Sequence, residues 1–322
     1  MRMASVRLPR LPAIPRRAAA AALLAAAAGI VALMGAGYAL GQLALVATFA
    51  IAGLGVVLIV GQAGQITLGQ GALLALGAYT EGLLARHGLP PPVSLPAAVA
   101  VAAGGGWLAS LPARRLGGLY FAMSTLAFAL IVEELLARAA WLTGGAAGLT
   151  VPTLALGPVA AGGAPAEAAV SVAALALAWA ACRRWVDSRL GRAWHAIRAD
   201  EGAAAASGID CARAKAAAFA IGGGLSGLAG ALYAHWIGFV SPEQFGLMLS
   251  FELLVLAFIG GARHLAGALW GALIIVAIPQ LIALLRDLLP SHLAATAGLE
   301  LLLFGAVLVA VVLWRPQGIA GR

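Results

Sequence analysis

The histidines and cysteines are the side chains of this sequence with the widest chemical range, and their spacing excludes several functions. The five histidines never fall four residues apart, and the two cysteines make no metal-ligand pattern with them. Neither a G-x-S-x-G turn nor a G-x-x-x-x-G-K-S/T phosphate loop occurs. We therefore expect no metal site, no cofactor bound by this chain and no enzymatic activity. The residues concerned are His87, His195, His235, His264, His292, Cys182 and Cys211.

The most polar stretch within the apolar part of the chain is residues 61–71, which read GQAGQITLGQG. Irregular backbone at membrane depth persists only where it is buried in protein or lines a wet cavity. Residues 61–65 are therefore either an interrupted helix that faces a solute or a tight turn between two spans. For residues 67–70, which we place on a span, we favour a role in lining a pathway. The predicted pathway residues here are Gly64, Gln65, Thr67, Gly69 and Gln70.

Residues 117–127 (GGLYFAMSTLA) bring a second group of small and hydroxyl residues into an apolar run. Ser and Thr within a membrane helix can bond to neighbouring helices, for about 0.6 kcal/mol each. Helix packing is one interpretation of this segment, and contact with a solute is the other. On the second interpretation, Tyr120 and Thr125 belong to the same pathway.

Two acids, Glu252 and Glu300, also fall inside predicted spans. A charged side chain near the bilayer centre costs about 2.5–3.5 kcal/mol on insertion scales. Each carboxyl group must therefore face a cavity or a partner, or be protonated.

The composition determines which solvent these residues meet. Hydrophobic residues make up 63% of the 322 residues, charged residues make up 10%, and the mean hydropathy is +1.00. Soluble domains average about 45–50% apolar and about 25% charged residues. So much apolar surface also excludes a disordered chain. The sequence predicts an all-α, polytopic integral membrane protein.

Ten apolar runs are close to the length of about 20 residues that a membrane-spanning helix needs. Basic residues stay on the cytoplasmic side, and ten crossings from an inside N-terminus place seventeen of the twenty Lys and Arg there. We expect about ten transmembrane helices, cytoplasmic N- and C-termini, and a basic cytoplasmic segment at residues 1–17. This topology accounts for the positive charge, so no nucleic-acid partner is predicted. The predicted spans are 18–40, 43–60, 66–85, 93–111, 117–137, 167–186, 216–237, 247–262, 265–285 and 293–314.

A charged segment at about residues 187–215 joins the sixth and seventh predicted spans on the cytoplasmic side. Trp194, Ile197 and an alanine run recur near helical spacing, and Gly208 supplies a stop, which predicts one amphipathic helix over 190–208. Such a helix can lie on lipid headgroups or bind a cytoplasmic protein. We favour the protein partner, because a permease that only sealed a pore would not need this loop.

Several short segments occur together in one order along residues 40–320. They are 64–69 (GQITLG), 77–80 (GAYT), 120–122 (YFA), 125–127 (TLA), 143–149 (TGGAAGL), 197–201 (IRADE), 208–210 (GID), Lys215, 218–219 (AF), 227–233 (GLAGALY), 238–242 (GFVSP), 260–261 (GG), Gly267, Gly271 and 315–318 (RPQG). In this combination the sequence resembles the permeases of ABC importers for branched-chain and other hydrophobic amino acids and amides. The YFA and RPQG segments are similar to the M-type of the two permease subunits in that family.

The resemblance implies a permease domain at residues 18–322 that imports branched-chain or other hydrophobic amino acids across the bacterial cytoplasmic membrane. It implies three kinds of partner besides the lipid bilayer: an H-type permease subunit, two cytoplasmic ATPase subunits that hold ATP and Mg²⁺, and an extracytoplasmic solute-binding protein. The binding protein is expected at the outer loop of about residues 138–166. The residues implied to couple the permease to the ATPases are Arg198, Asp200, Glu201, Ala203, Ala204 and Gly208.

Two positions depart from the pattern of the family. Ala205 stands where a second Glu is usual, which leaves Glu201 as the acid that meets the ATPase, and Thr67 stands where Ser is commoner. The same pattern also resembles importers of urea or short amides. A function of another class, an ion-coupled secondary transporter that uses Glu252 or Glu300, stays open; such a transporter has no need of a docking helix at 190–208.

Overall fold

The computed structural model describes residues 36–114, 116–154, 163–287, 305 and 318–320, and the structural statements below concern these residues. The chain divides into two compact units, Met1–Ala39 and Leu40–Arg322. Apart from the first residues of one helix, everything described below belongs to the second unit. The first and last predicted spans, 18–40 and 293–314, fall almost wholly outside the described residues, and so does Glu300.

The described part of the chain is built from helices, with one two-stranded antiparallel sheet in which Leu149 pairs with Val240 and Thr150 with Phe239. The first helix continues as a π-helix at Val57–Gln62, and single 3₁₀ turns lie at Leu111–Arg114, Gly145–Ala147 and Pro242–Phe245. The other elements are α1 (Ala36–Val56), α2 (Gln70–Arg86), α3 (Pro91–Ala109), α4 (Gly118–Arg138), α5 (Ala140–Thr143), β1 (Leu149–Thr150), α6 (Ala164–Asp187), α7 (Arg189–Ala199), α8 (Glu201–Ala206), α9 (Cys211–Ile237), β2 (Phe239–Val240), α10 (Leu247–Gly260) and α11 (Leu265–Asp287).

Six helices within the described residues are long and apolar enough to cross a membrane. They are Gly37–Gln62, Pro91–Ala113, Gly118–Arg138, Ala164–Asp187, Cys211–Ile237 and Pro242–Gly260, and Leu265–Gln280 is a shorter apolar helix. The expectation of an all-α polytopic membrane protein is confirmed at this level. Predicted spans two to nine correspond to α1, α2, α3, α4, α6, α9, α10 and α11.

The predicted break between residues 40 and 43 is wrong, because α1 runs through these positions without interruption. The indole N–H of Trp236 in α9 donates a hydrogen bond to the carbonyl oxygen of Gly41 (2.9 Å). A Cβ at Gly41 would lie 3.6 Å from that indole nitrogen. The glycine thus sits in a helix-packing contact and does not end a span.

Helix α9 lies at the centre of the described bundle, where its largest contacts are with α3 and α2. In the most apolar 18-residue stretch of each helix, 78% is buried for Gly37–Gln62 and 72% for α9. The corresponding stretches of α4 and α6 are only 28% and 22% buried. Glycines allow the close approach: Gly77 of α2 lies against the backbone of Gly227, and Gly106 of α3 lies against the carbonyl of Phe219. Small residues let membrane helices meet at backbone distance. The outer faces of α4 and α6 are left for lipid or other subunits.

Candidate functional site

Residues 63–69 link α1 to α2, and we call them the connecting segment. The chain leaves the π-helix at Ala63, passes through Gly64 in the left-handed region (φ +70°) and enters α2 at Gln70. Glycine adopts this φ without strain. The segment is therefore a turn between two helices and not a break within one, and Thr67 precedes α2 instead of lying on a span as predicted. Ala63 and Thr67 are nevertheless fully buried.

The connecting segment is bound to α4 through one threonine. The Leu68 N–H donates to Thr125 Oγ1 (3.0 Å), and the Gly69 N–H donates to Thr67 Oγ1 (3.2 Å). A Cβ at Gly69 would lie 2.9 Å from the Thr125 carbonyl oxygen. The structure thus brings together the predicted pathway residues of two separate segments, and here it packs them against one another.

The first turn of α2 is bound to α9 and α10 in the same way. The Ser226 hydroxyl of α9 donates to Gln70 Oε1 (2.7 Å), and the Gly71 N–H donates to Ser250 Oγ of α10 (2.9 Å). Ser226 and Ser250 are fully buried. The Gln70 amide nitrogen is also buried and has no hydrogen-bond partner among the described residues. Buried polar contacts therefore extend from the connecting segment to three further helices.

Three of the predicted residues do not join this group of contacts. Tyr120 is 73% exposed near the start of α4. Gln65 is half-buried; its side-chain amide donates to the Ala63 carbonyl (3.3 Å) and its backbone N–H to the Ile59 carbonyl (3.0 Å). Glu252 is half-buried on α10.

The charged loop predicted at residues 187–215 forms two helices, not one. Asp200 breaks the helical run with an extended backbone (φ −161°, ψ 113°) and caps α8 by accepting a hydrogen bond from the Ala203 N–H (3.0 Å). Aspartate is among the preferred residues at a helix N-terminus. Gly208 ends the alanine run in the left-handed region (φ +83°), as predicted. Asp210 then caps α9 by accepting from the Arg213 N–H (3.0 Å).

The apolar face of α7 is buried in protein. Trp194 is fully buried, and its indole N–H donates to the Ala214 carbonyl of α9 (2.8 Å); Ile197 lies beside it in the same core. Burial of Trp194 and Ile197 within the chain removes these two side chains from contact with headgroups. The arrangement does not favour the lipid-bound alternative for this helix.

The polar side of α7 meets the end of the π-helix. His195 Nε2 lies 2.6 Å from Gln62 Oε1, and the Gln62 amide N–H donates to the Arg263 carbonyl (3.0 Å). The Arg198 guanidinium donates to the Gly61 carbonyl. Burial, together with the neighbouring charge of Arg263, lowers the pKa of Arg198 from its usual value. The loop helix is thus attached directly to the residues that precede the connecting segment.

Some of the predicted ATPase-contact residues are exposed, and others are buried or partly buried. Ala203 and Gly208 are exposed, Ala204 is buried and Arg198 is partly buried by its contact with Gly61. The side chain of Glu201 is 51% exposed, but Oε1 accepts a hydrogen bond from Lys215 Nζ (2.6 Å), whose side chain is only 2% exposed. Glu201 therefore holds α8 onto α9 while its other oxygen is free of contacts within the described residues.

One buried cluster was missed by the sequence analysis. Glu81 of α2, Ser94 of α3 and His235 of α9 are all buried. Ser94 Oγ donates to Glu81 Oε1 (2.7 Å), which also lies 2.9 Å from His235 Nε2, and His235 Nδ1 lies 2.9 Å from the Pro152 carbonyl. The signal was present in the sequence: Glu81 is an acid inside a predicted span, the same observation that drew attention to Glu252.

These observations define a class of protein. Apolar helices of membrane-spanning length surround a buried polar turn, and a two-helix loop with an exposed outer surface is attached to that turn. This is the architecture of a polytopic helical membrane protein with a two-helix loop between two of its apolar helices.

Comparisons with known proteins give the family. A model of the family described as "Branched-chain amino acid transport system / permease component" matches residues 38–312. The chain is 33% identical over 296 residues to the high-affinity branched-chain amino acid transport system permease protein LivM of Escherichia coli K12, covering 84% of this chain and 67% of LivM. LivM of Salmonella typhimurium is also 33% identical, over 297 residues. LivH of Escherichia coli K12 is 32% identical over 135 residues, 42% of this chain and 41% of LivH. No solved structure matches the chain significantly.

The chain belongs to the branched-chain amino acid transport permease family. The family resemblance inferred from the sequence is therefore confirmed, and the protein is a transport permease subunit.

Proposed function

We propose that this chain is the M-type membrane subunit of an ATP-driven importer of branched-chain or other hydrophobic amino acids. It works with an H-type permease subunit, two ATPase subunits that bind ATP and Mg²⁺, and an extracytoplasmic binding protein. The match to LivM covers twice the share of this chain that the match to LivH covers, which supports the M-type assignment. The structural observation that carries the proposal is the exposure of α8. This helix directly follows α7, which Trp194 anchors to α9 in the protein core.

In the proposed topology the chain crosses the bacterial cytoplasmic membrane ten times, with both termini in the cytoplasm. Eight helices of the described residues supply crossings two to nine, and the residues before α1 and after α11 supply the other two. The excess of Lys and Arg in the loops assigned to the inside supports this orientation. The ATPases then meet the α7–α8 loop from the cytoplasm.

The binding protein docks at the opposite end of the helices in this proposal. There α5 follows α4, and the sheet of β1 and β2 joins the loop after α5 to the end of α9. Trp141 on α5 is 86% exposed and offers a large rigid apolar contact. The binding protein supplies the substrate affinity, so the path through the permease needs only to admit the solute.

The test uses a substitution that changes the surface of α8 without touching internal contacts. Ala203 has an exposed side chain, so Ala203→Arg adds bulk and charge where the ATPase is expected. We expect the variant to insert in the membrane with its H-type partner, to lose ATPase co-purification and to abolish leucine uptake by vesicles holding the complete transporter.

Ala147→Arg is the matched control for ATPase binding, because Ala147 is also an exposed alanine and lies in the loop between α5 and β1. This variant should keep the ATPases during purification. If Ala203→Arg retained both ATPase binding and normal leucine uptake, α8 would not be the docking element and this mechanism would be wrong.

A further inference from the structure

The contact between α7 and the end of the π-helix depends on two side chains that are 133 positions apart in the sequence. His195 Nε2 and Gln62 Oε1 are 2.6 Å apart, a short distance for a hydrogen bond. The amide oxygen of Gln62 can only accept, so His195 must carry its proton on Nε2. The Gln62 N–H₂ group is at the same time committed to the Arg263 carbonyl of the turn between α10 and α11. Gln62 therefore connects α7 to that turn.

The backbone around Gln62 is shaped for this contact. A Cβ at Gly61 would overlap the carbonyl group of Ala262, and a Cβ at Gly64 would lie 2.8 Å from the Arg198 side chain. These close approaches leave no space for the α7 side chains to move independently of the turn. The π-helical form of residues 57–62 is a second indication that this contact is functional, because π-helical segments are rare and are found frequently at functional sites.

The contacts continue from this point into the bundle. Beyond Gln62 the connecting segment bonds Thr125 of α4, and the first turn of α2 bonds Ser226 of α9 and Ser250 of α10. A displacement of α7 that moves Gln62 must therefore strain or move contacts to three membrane helices. Two further side chains attach α7: Trp194 donates to the Ala214 carbonyl of α9, and Arg198 donates to the carbonyl of Gly61, the residue before Gln62.

We infer that the His195–Gln62 hydrogen bond is the link that transmits motion of the α7–α8 loop to the connecting segment, and so to the helices around it. Both residues are positioning residues, which act through the backbone of residues 61–71. The inference rests on the proposed function, because the force on α8 comes from the ATPases. It assigns the transmission to one side-chain pair within that function.

The experiment measures how much leucine is taken up for each ATP hydrolysed. A purely structural role of His195 and Gln62 would not alter this ratio. Vesicles with the complete transporter are assayed for leucine uptake and ATP hydrolysis in the same preparation, for the variants Gln62→Leu, His195→Leu and the double variant. Each single change should lower the uptake per ATP about five-fold or more, the lower end of typical coupling effects. The double variant should be no worse than the poorer single variant, because both remove the same interaction.

Two further variants test the assignment. His195→Gln can still donate an amide N–H to Gln62 and should restore most of the coupling. His87→Leu is the control for a histidine-to-leucine change, since His87 is exposed at the far end of α2, and it should leave the uptake per ATP unchanged.

The failures of the inference and of the proposed function are distinguishable. If uptake and hydrolysis fell in proportion, or if the two single losses multiplied in the double variant, the link would carry no transmission while the importer assignment would stand. If the unaltered chain bound no ATPase and its uptake did not require ATP, the proposed function itself would fail.

Discussion

Each end of the described bundle has a histidine that fastens an outlying segment to the helices, and the two attachments are built differently. At the α7 end, His195 is largely exposed and bonds a neutral amide. At the β1–β2 end, His235 is 4% exposed and bonds a carboxylate and a backbone carbonyl. A neutral, partly exposed hydrogen bond is exchanged with water at little net cost, about 0.5–1.5 kcal/mol. Removing one partner of a buried hydrogen bond leaves the other unsatisfied, which costs the full desolvation penalty of that group, about 1–3 kcal/mol.

The difference indicates which end moves. The His235 cluster joins α2, α3 and α9 to the chain after β1, so this end is expected to stay rigid when the binding protein docks. In the proposed importer the α7 end is the one that moves, and its hydrogen bond to Gln62 moves with it. Rigid-body motion about one fixed end is a common form of switching between two states.

The largest effect is expected from breaking the rigid attachment. Glu81→Leu leaves the buried His235 ring without its partner at Nε2, and His235→Phe leaves the Glu81 carboxyl group without one of its donors. Each single change should lower the free energy of unfolding by about 1–3 kcal/mol, the cost of a buried polar group left unsatisfied, measured by denaturation of the purified subunit.

The double variant Glu81→Leu/His235→Phe should be no less stable than the poorer single variant, because it leaves neither member of the pair without its partner. If the losses of stability in the two single variants added up in the double variant, Glu81 and His235 would stabilise the protein separately. The β1–β2 end would then not be held by a coupled pair, which would contradict the comparison of the two ends.

An intermediate effect is expected at Glu201, where two roles compete. Glu201→Arg should abolish uptake but leave membrane insertion intact, because it reverses the charge offered to the ATPase. The same change also places a cation next to the buried Lys215. The charge-swapped variant Glu201→Arg/Lys215→Glu separates the roles, since it restores the internal pair but not the docking surface.

We expect leucine uptake to stay abolished in the swapped variant while the loop regains resistance to limited proteolysis. Recovery of uptake would mean that Glu201 serves only to hold α8 on α9.

The smallest effect is expected at the anchor of α7. Trp194→Phe removes one buried hydrogen bond to Ala214 and keeps an aromatic ring, so the loss of stability should be about 1 kcal/mol. The melting temperature of the purified transporter measures it. A loss as large as that of Glu81→Leu would mean that both ends are equally rigid.

The sequence predicted the helices well where the signal is local. Apolar runs located α2, α3, α4, α6, α9, α10 and α11 within a few residues, and Gly208 marked the end of the alanine run. Asp200 was read as part of a helix, because its neighbours share helical spacing; as a capping residue that is followed at once by Glu201, it in fact begins a new helix.

The candidate site was only partly predictable, because its contacts join distant parts of the chain. Residues 61–71 and 187–215 were each singled out by local polarity, but nothing in either segment specifies that His195 meets Gln62. The Glu81–His235 pair, 154 positions apart, depends on how α2 packs against α9. Both pairs follow from tertiary packing through small residues such as Gly77 and Gly227.

The most direct measurement is the accessibility of α8 to a membrane-impermeant maleimide. A single cysteine is introduced as Ala205→Cys, an exposed position, in a Cys211→Ser background that removes the half-buried native thiol of the same loop. The account predicts no labelling in cells with an intact cytoplasmic membrane, labelling in inside-out vesicles stripped of ATPases, and protection when the ATPases are bound. Labelling from the outside of sealed cells would contradict it.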